Sequence, residues 1–437
     1  MRTLYTFTIR VYIVAIRLAA FFNNKKAGLW ISGRKNNLTN LKNVFENKSE
    51  EEKPVIWVHG SSLGEFEQGR PVIEKIKKTY PQYRILLTFF SPSGYEIRKN
   101  YEHADIISYL PPDIPVNVRE FLNIVKPSMA FFIKYDYWFN FLSELKSRSV
   151  PVFIISALFR PGQYFFQWYG KWFLEQLGAI TWFFVQNEES LALLKESGKT
   201  NSTMSGDTRF DRVAEISSGK KEFPLIREFC GNDLVLLAGS TWKEDENLLL
   251  PFFLNNFPSV KFIIAPHDTS PERVREICAR FEKPFVKFSD LNADNSRGSE
   301  ILVIDTIGIL AHLYQYATVS YIGGGFGVSI HNIQEPIAFG IPVLFGPNYK
   351  KFREAVELIP PGGASSVKTT RELGESLTRL FSDKDYYRRA SDVCRKYVED
   401  NRGATSLIIR KIISLGIFPQ DPGPLRGDPD SKTNSAG

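Results

Sequence analysis

The chain has 437 residues, 43% hydrophobic and 24% charged, and this ordinary globular composition at this length predicts two domains, each able to bury a core. Its formal net charge of +7 sits at one end: residues 1–45 hold eight basic side chains (Arg2, Arg10, Arg17, Lys25, Lys26, Arg34, Lys35, Lys42) and no acid, leaving 47 basic against 48 acidic groups elsewhere. A body without surplus positive charge excludes a nucleic-acid binder, and three scattered cysteines (Cys230, Cys278, Cys394) without zinc-ligand spacing exclude a structural zinc site and indicate a reducing compartment.

From Leu4 to Phe22 the chain is mostly apolar, interrupted by Thr6, Thr8, Arg10 and Arg17. Thr3, Arg10 and Arg17 recur every seven residues, so a helix gathers them into one narrow polar stripe. Such a helix is long enough to cross a bilayer, but each arginine near mid-depth costs roughly 2.5–3.5 kcal/mol. Lying in the interface avoids that cost. Lys25, Lys26, Arg34 and Lys35 follow where anionic headgroups attract them, at about 1 kcal/mol per charge. Residues 1–45 therefore read as a basic membrane-associating helix and linker, meeting the membrane surface through residues 1–35. The same composition also suits an organellar transit peptide, and a core helix is the plain alternative.

Beyond a charged linker around Asn47–Lys53, short apolar runs alternate with amphipathic stretches. Strands are predicted at Val55–Val58, Ile85–Phe90, Ile106–Tyr109, Ala130–Ile133, Val152–Ile155 and Trp182–Gln186, with helices such as Phe66–Thr79 and Val116–Val125 between them. Continuous apolar runs separated by helices read as buried parallel strands. A second series comprises Leu234–Ala238, Lys261–Ala265, Ile301–Ile304, Val319–Ile322 and Pro342–Phe345. The fold class is α/β, with two Rossmann-like domains at 46–215 and 216–418 and ligands held at the carboxyl ends of the strands, in a crevice between the domains. Residues 419–437, rich in Pro, Gly, Asp and Ser without apolar period, are expected to be disordered.

Two motifs carry most of the chemistry. His59-Gly60-Ser61-Ser62-Leu63-Gly64-Glu65 follows a strand and precedes a helix, where small residues admit a ligand to the backbone and free N–H groups favour negative charge. Glu65 at that mouth can accept a proton as a general base, or simply cap its helix. The second motif, Gly323-Gly324-Gly325-Phe326, leads through His331 and Asn332 to Glu335-Pro336 and allows a phosphate or sugar to approach the main chain. Glu335, in the first turn of a helix starting at Gln334, can accept hydrogen bonds from ribose hydroxyls. Ser240-Thr241 and Pro266-His267 end two strands of the second series, where a nucleotide is held; capping by Ser240 or Thr241 and a loop role for His267 are the plain readings.

Together these segments resemble the bacterial 3-deoxy-D-manno-octulosonic acid (Kdo) transferases, a GT-B glycosyltransferase family, from the N-terminal helix to about residue 415. The resemblance implies two Rossmann-like domains facing a central cleft, and transfer of Kdo from CMP-Kdo to a lipid A precursor at the cytoplasmic face of the inner membrane. It places Glu65 on the catalytic base, with His59, Ser61, Ser62, Gly64, Asp136 and Arg209 on the acceptor or phosphate side. Ser240, Thr241, Pro266, His267, Gly323, Gly324, Gly325, Phe326, His331, Asn332 and Glu335 fall on the donor side, with Glu335 at the CMP ribose. Gly206-Asp207-Thr208-Arg209-Phe210-Asp211 matches a further family segment. Lys134 departs from the family, standing where an acidic residue is usual, and His267-Asp268 replaces an Arg-His pair, with Arg209, Lys350 or Lys351 left as replacement cations. The expected reaction is inverting and needs no metal and no cofactor. The alternatives are a GT-B enzyme using another nucleotide sugar and a non-catalytic membrane-surface scaffold of the same fold.

Overall fold

The computed structural model describes residues 1–46, 53–219, 221–257 and 259–419, so the linker and tail expectations at 47–52 and 420–437 lie outside the described residues. Two compact units divide the chain, Met1–Arg209 together with the chain from Gly403, and Phe210–Arg402.

The first unit is built on a parallel sheet of β1 (Val55–His59), β2 (Arg84–Phe89), β3 (Ile106–Tyr109), β4 (Met129–Ile133), β5 (Val152–Ala157), β6 (Trp182–Val185) and β7 (Ser202–Met204), in the order β3-β2-β1-β4-β5-β6-β7. Every residue of β1 is buried, as a strand covered by helices on both faces requires. Its side chains alternate between two layers. Trp57 packs with Phe121, Phe132 and Phe141, while Ile56 and Val58 join Phe66, Ile73 and Phe131 on the other face. The chain runs outward from β1 to β3 and then returns to place β4 beside β1, making the β1/β4 boundary the topological switch point.

The second unit repeats the plan with β8 (Leu234–Thr241), β9 (Val260–Pro266), β10 (Phe285–Lys287), β11 (Ile301–Val303), β12 (Val319–Ile322), β13 (Val343–Phe345) and β14 (Ala364–Ser366), ordered β10-β11-β9-β8-β12-β13-β14. All its pairings are parallel, and its switch point lies between β8 and β12.

The sequence reading carried the second domain on to residue 418, but the helix Ala404–Ser414 returns to the first unit. Its stripe of Ile408, Ile409 and Ile412 needs cover, which the layer containing Ile56 and Ile73 supplies, and Phe418 stacks on Tyr80 with ring centres 4.5 Å apart. The expected boundary between residues 215 and 216 falls inside the helix Arg209–Ser218, whose Phe210 and Val213 are already in the second unit's core.

The N-terminal helix runs from Arg2 to Phe21 and lies along the first unit. The Tyr5 hydroxyl donates to Asp113 Oδ2 (2.7 Å), Arg2 Nε to Asn140 Oδ1 (3.0 Å) and Asn140 Nδ2 to Thr6 Oγ1 (3.2 Å). Tyr5 also meets Phe139 edge-on, and Tyr12 stacks on Phe90. Asp113 is wholly buried; it also accepts the N–H groups of Asn140 and Phe141 at the start of the helix Phe139–Ser147, and burial pushes its carboxyl up to about 6. Spacings of three and four leave Leu4, Phe7, Val11, Val14 and Leu18 as one exposed apolar face, flanked by Arg10 and Arg17.

One basic residue expected to meet headgroups does not. Arg34 turns inward, donating to the carbonyls of Leu110 (2.9 Å) and Phe90 (2.7 Å) while lying 3.9 Å from the ring centre of Trp30, and burial pushes its guanidinium down to about 9. It clamps the chain beyond β2 and β3, whereas Lys25, Lys26 and Lys35 remain exposed.

Tyr5→Phe removes a donor from a buried carboxylate, a loss of about 1–3 kcal/mol in the docking of the N-terminal helix. Amide exchange in Arg2–Phe21 is expected to accelerate while exchange in β1 is unchanged; equal protection in both variants contradicts this account of the docking.

Candidate active site

At the first switch point, β1 leads through Gly60-Ser61-Ser62 into the helix Leu63–Thr79, and β4 leads through Lys134–Trp138 into the helix Phe139–Ser147. The first of these helices starts three residues before the expected Phe66, because Ser62 caps it. Ser62 N–H and its hydroxyl donate to Glu65 Oε2 (2.9 and 3.1 Å), while Ser62 Oγ accepts from Glu65 N–H (3.4 Å). Glu65 is thus a capping residue in fact. Its place in the cap fixes the carboxylate at the mouth of the turn and leaves Oε1 outside the capping pair.

Asp136 is buried opposite, accepting the N–H (2.8 Å) and the hydroxyl of Ser61. Burial and the charge of Glu65 hold its carboxyl well above the usual carboxylate range. Burial likewise raises Glu65, opposed by the Ser62 hydrogen bonds and by Lys134. Lys134 adopts a left-handed backbone (φ +63°) just past β4. Burial lowers its ammonium, Arg209 and Arg160 repel it, and Asp207 and Glu65 attract it. A cation therefore stands beside the candidate base where the family pattern has an acid.

His59 was expected on the acceptor side, but it is fully buried and cannot meet a substrate. Its Nε2 accepts the indole N–H of Trp138 (3.1 Å), so its proton is on Nδ1, which donates to the Thr88 carbonyl (3.0 Å). Burial pushes its pKa down to about 3, and the neutral ring stands 3.7 Å from Asp136 Oδ2 as a strut behind the site. Arg209, offered as a replacement phosphate cation, is neutralised by Asp207, which accepts from Nε (2.9 Å) and from the terminal nitrogen (2.6 Å). Ser61 and Ser62 are half-buried at the turn, and Gly64 is exposed in the helix's first turn.

The second switch point gathers most of the predicted donor residues. Ser240 takes a left-handed conformation (φ +53°) near the end of β8. Thr241 is buried and its hydroxyl donates to Glu246 (3.0 Å). Asp245 ties the two strand ends together: Oδ2 accepts the N–H groups of Trp242 (2.9 Å) and Gly324 (2.8 Å), and Oδ1 accepts the Tyr321 hydroxyl (2.9 Å). A Cβ at Gly323 would overlap the Ser240 carbonyl, and Gly324 has φ +90° with its open side 3.1 Å from the His331 ring, so neither position admits a side chain.

His331 N–H donates to the Gly323 carbonyl (3.0 Å), folding the following segment back over the glycine loop. Asn332 Oδ1 accepts Gln334 N–H (3.0 Å) at the helix Gln334–Ala338, and its amide donates to Glu335 Oε1 (3.3 Å). Pro266 ends β9, and His267 N–H donates to the Thr241 carbonyl (3.0 Å). Phe326 packs against the core rather than into the loop. Lys350 and Lys351 line a cleft of about 640 Å³ together with Lys368, Ser329 and Asn348. Among the described residues no group of three or more His, Cys, Asp or Glu side chains is placed to hold a metal ion.

Two residues outside the expected site set take part in these arrangements. Asp245 gave no signal beyond an acid in a helix's first turn. Trp242 did: it is a bulky apolar residue following a strand end, and it remains 44% exposed.

Residues 37–212 match the family model described as 3-deoxy-D-manno-octulosonic-acid transferase (kdotransferase). The 3-deoxy-D-manno-octulosonic acid transferase of Aquifex aeolicus is 28% identical over 354 residues, covering 79% of this chain and 91% of that protein. The transferase of the same name from Haemophilus influenzae is 23% identical over 374 residues, covering 81% of this chain and 85% of the other. The UDP-GlcNAc 2-epimerase of Neisseria meningitidis shares the fold, with a TM-score of 0.59 at 17% identity over 83% of this chain and 100% of its own. With a Kdo transferase family domain at 37–212 and Kdo transferases at 23–28% identity along about four-fifths of its length, the chain is similar to the Kdo transferases.

Proposed function

We propose that this protein transfers Kdo from CMP-Kdo to a lipid A precursor in lipopolysaccharide synthesis, with inversion at the anomeric carbon and without a divalent metal. The first unit takes the acceptor and the second the nucleotide sugar. The observation that carries this reading is Glu65, fixed by its own cap at the β1/β4 switch point, with burial raising its affinity for a proton.

In the reaction, an acceptor hydroxyl oxygen attacks the anomeric carbon of Kdo and its proton passes to the Glu65 carboxylate. The carbon–oxygen bond to phosphate breaks, and CMP departs with the electron pair. The N–H groups of Gly323 and Gly324 are taken by the Gly239 carbonyl and Asp245, so the N–H groups of Gly325 and Phe326 in the glycine loop stabilise that phosphate, and the lysines at 350 and 351 supply nearby positive charge. Glu335, half-buried beside Asn332, accepts from the ribose hydroxyls.

The N-terminal helix lies in the membrane interface on the cytoplasmic side rather than spanning the bilayer. Its inner face is held to the first unit by Arg2, Tyr5, Thr6 and Tyr12, and its outer face presents an apolar stripe flanked by arginines.

Glu65→Gln is expected to lower turnover by about 10²–10⁴-fold with CMP affinity retained; near-normal turnover sinks the assignment. A base with a raised pKa loses its ionised form sooner on acidification, so the acid limb of the turnover profile is expected above the ordinary glutamate range. Asp136, held higher still, is protonated before Glu65 on acidification, so Asp136→Asn is expected to leave that limb where it is, which a pH–rate profile of the two proteins checks. Replacing the outward Phe7, Val11 and Leu18 with Ser leaves the docked face intact and is expected to abolish sedimentation with anionic vesicles, whereas undiminished sedimentation places the membrane contact elsewhere.

A further inference from the structure

We propose that Trp242 is a positioning residue of the donor site: its indole holds His331 as the neutral ring protonated on Nδ1, so that His331 presents an Nδ1–H donor to an anionic oxygen of the donor. The inference rests on the donor reading given above and adds to it which face of His331 is available and what fixes it.

The geometry is a small aromatic platform. Trp242 Nε1 lies 2.9 Å from His331 Nε2, and the two rings are within 12° of coplanar with centres 6.4 Å apart, an edge-to-edge hydrogen bond. His267 stacks over both, with centres 4.6 Å from Trp242 and 4.5 Å from His331 at 25° and 22°. An indole nitrogen donates and never accepts, so Nε2 must be the unprotonated nitrogen and the ring proton must sit on Nδ1. Protonating Nε2 would set two N–H groups against each other. Burial and the neighbouring His267 both disfavour the cation as well, and hold His331 down to about 4.

The platform is tied into the site through the main chain. Trp242 N–H and Gly324 N–H share Asp245 Oδ2, and the His331 ring closes over Gly324, where a Cβ would come within 3.1 Å. The indole thus reaches His331 from a backbone already fixed to the glycine loop. The first unit uses the same pairing at Trp138 and His59, but there Nδ1 is consumed by the Thr88 carbonyl inside the core. At His331 the described hydrogen bonds engage only Nε2, so Nδ1–H is the group left to a ligand.

The test uses the full chain with ¹⁵N-labelled histidine, which gives five imidazoles to resolve. Long-range ¹H–¹⁵N spectra report the tautomer and titration of each ring. In the native protein His331 is expected in the Nδ1–H form with no protonation above about pH 5; a ring protonated on Nε2 overturns the proposal without any variant. In Trp242→Phe, which keeps a ring but removes the N–H, His331 is expected to become a tautomer mixture titrating nearer the ordinary value of about 6.5. CMP affinity is expected to fall by about tenfold. An unchanged tautomer and titration, or a changed tautomer with CMP affinity within twofold of native, overturns the proposal. Failure of CMP to perturb His331 in the native protein overturns the donor reading itself, and the tautomer spectra distinguish that failure from a failure of the Trp242 assignment.

Discussion

A strand covered on both faces has no wet side, and polar chemistry is confined to its ends. Both sheets of this protein meet that constraint in the same way. Where β4 returns beside β1, and where β12 returns beside β8, neighbouring strands send their following segments apart, and the gap at their carboxyl ends is where side chains of opposite character collect. Ser61, Glu65, Asp136 and Lys134 gather at the first gap, and Ser240, Asp245, the glycine loop and His331 at the second. The backbone itself bends unusually there: Lys134 and Ser240, neither a glycine, hold left-handed conformations at the strand ends.

Buried carboxylates and indoles act as fasteners for these gaps. Asp113 anchors the N-terminal helix and the start of the helix Phe139–Ser147 together, and Asp245 joins β8's exit to the glycine loop. In each case one carboxylate satisfies N–H groups at helix or loop starts that would otherwise be costly to bury. Trp138 and Trp242 perform a related task, each using a donor-only nitrogen to decide which nitrogen of a histidine carries the proton. The outcome differs with burial: His59 is sealed into the core as a strut, while His331 stays at the edge of the site.

The positive surplus divides according to geometry rather than sequence position. Arg34, which by sequence belongs with the other N-terminal cations, is enclosed by Trp30, Phe90 and Tyr109 and bonded to carbonyls. Arg10 and Arg17 flank an apolar stripe on a helix whose other side is docked. A helix docked through Arg2, Tyr5 and Tyr12 leaves one apolar face outward, and the heptad spacing of its polar residues suits that arrangement.

The sequence by itself determined the repeated α/β plan, because apolar runs long enough to be buried on both faces leave a clear signal; β1, β3, β5 and β12 lie within a residue or two of where that signal puts them. It also determined the two motif loops, since glycines and small polar residues between a strand and a helix have few other uses. It missed β7, β10 and β14, edge strands of three residues each, too short for a period to show. Only the tertiary structure decided that the helix Ala404–Ser414 belongs to the first unit, that Arg209 is neutralised by Asp207, that His59 is a strut and that Trp242 reaches His331. All but the Arg209–Asp207 pair, which is two residues apart, depend on which groups become neighbours across tens to hundreds of residues of chain. Local pattern records a side chain's tendency to be buried, but its charge and hydrogen-bond partners are settled by what is packed against it.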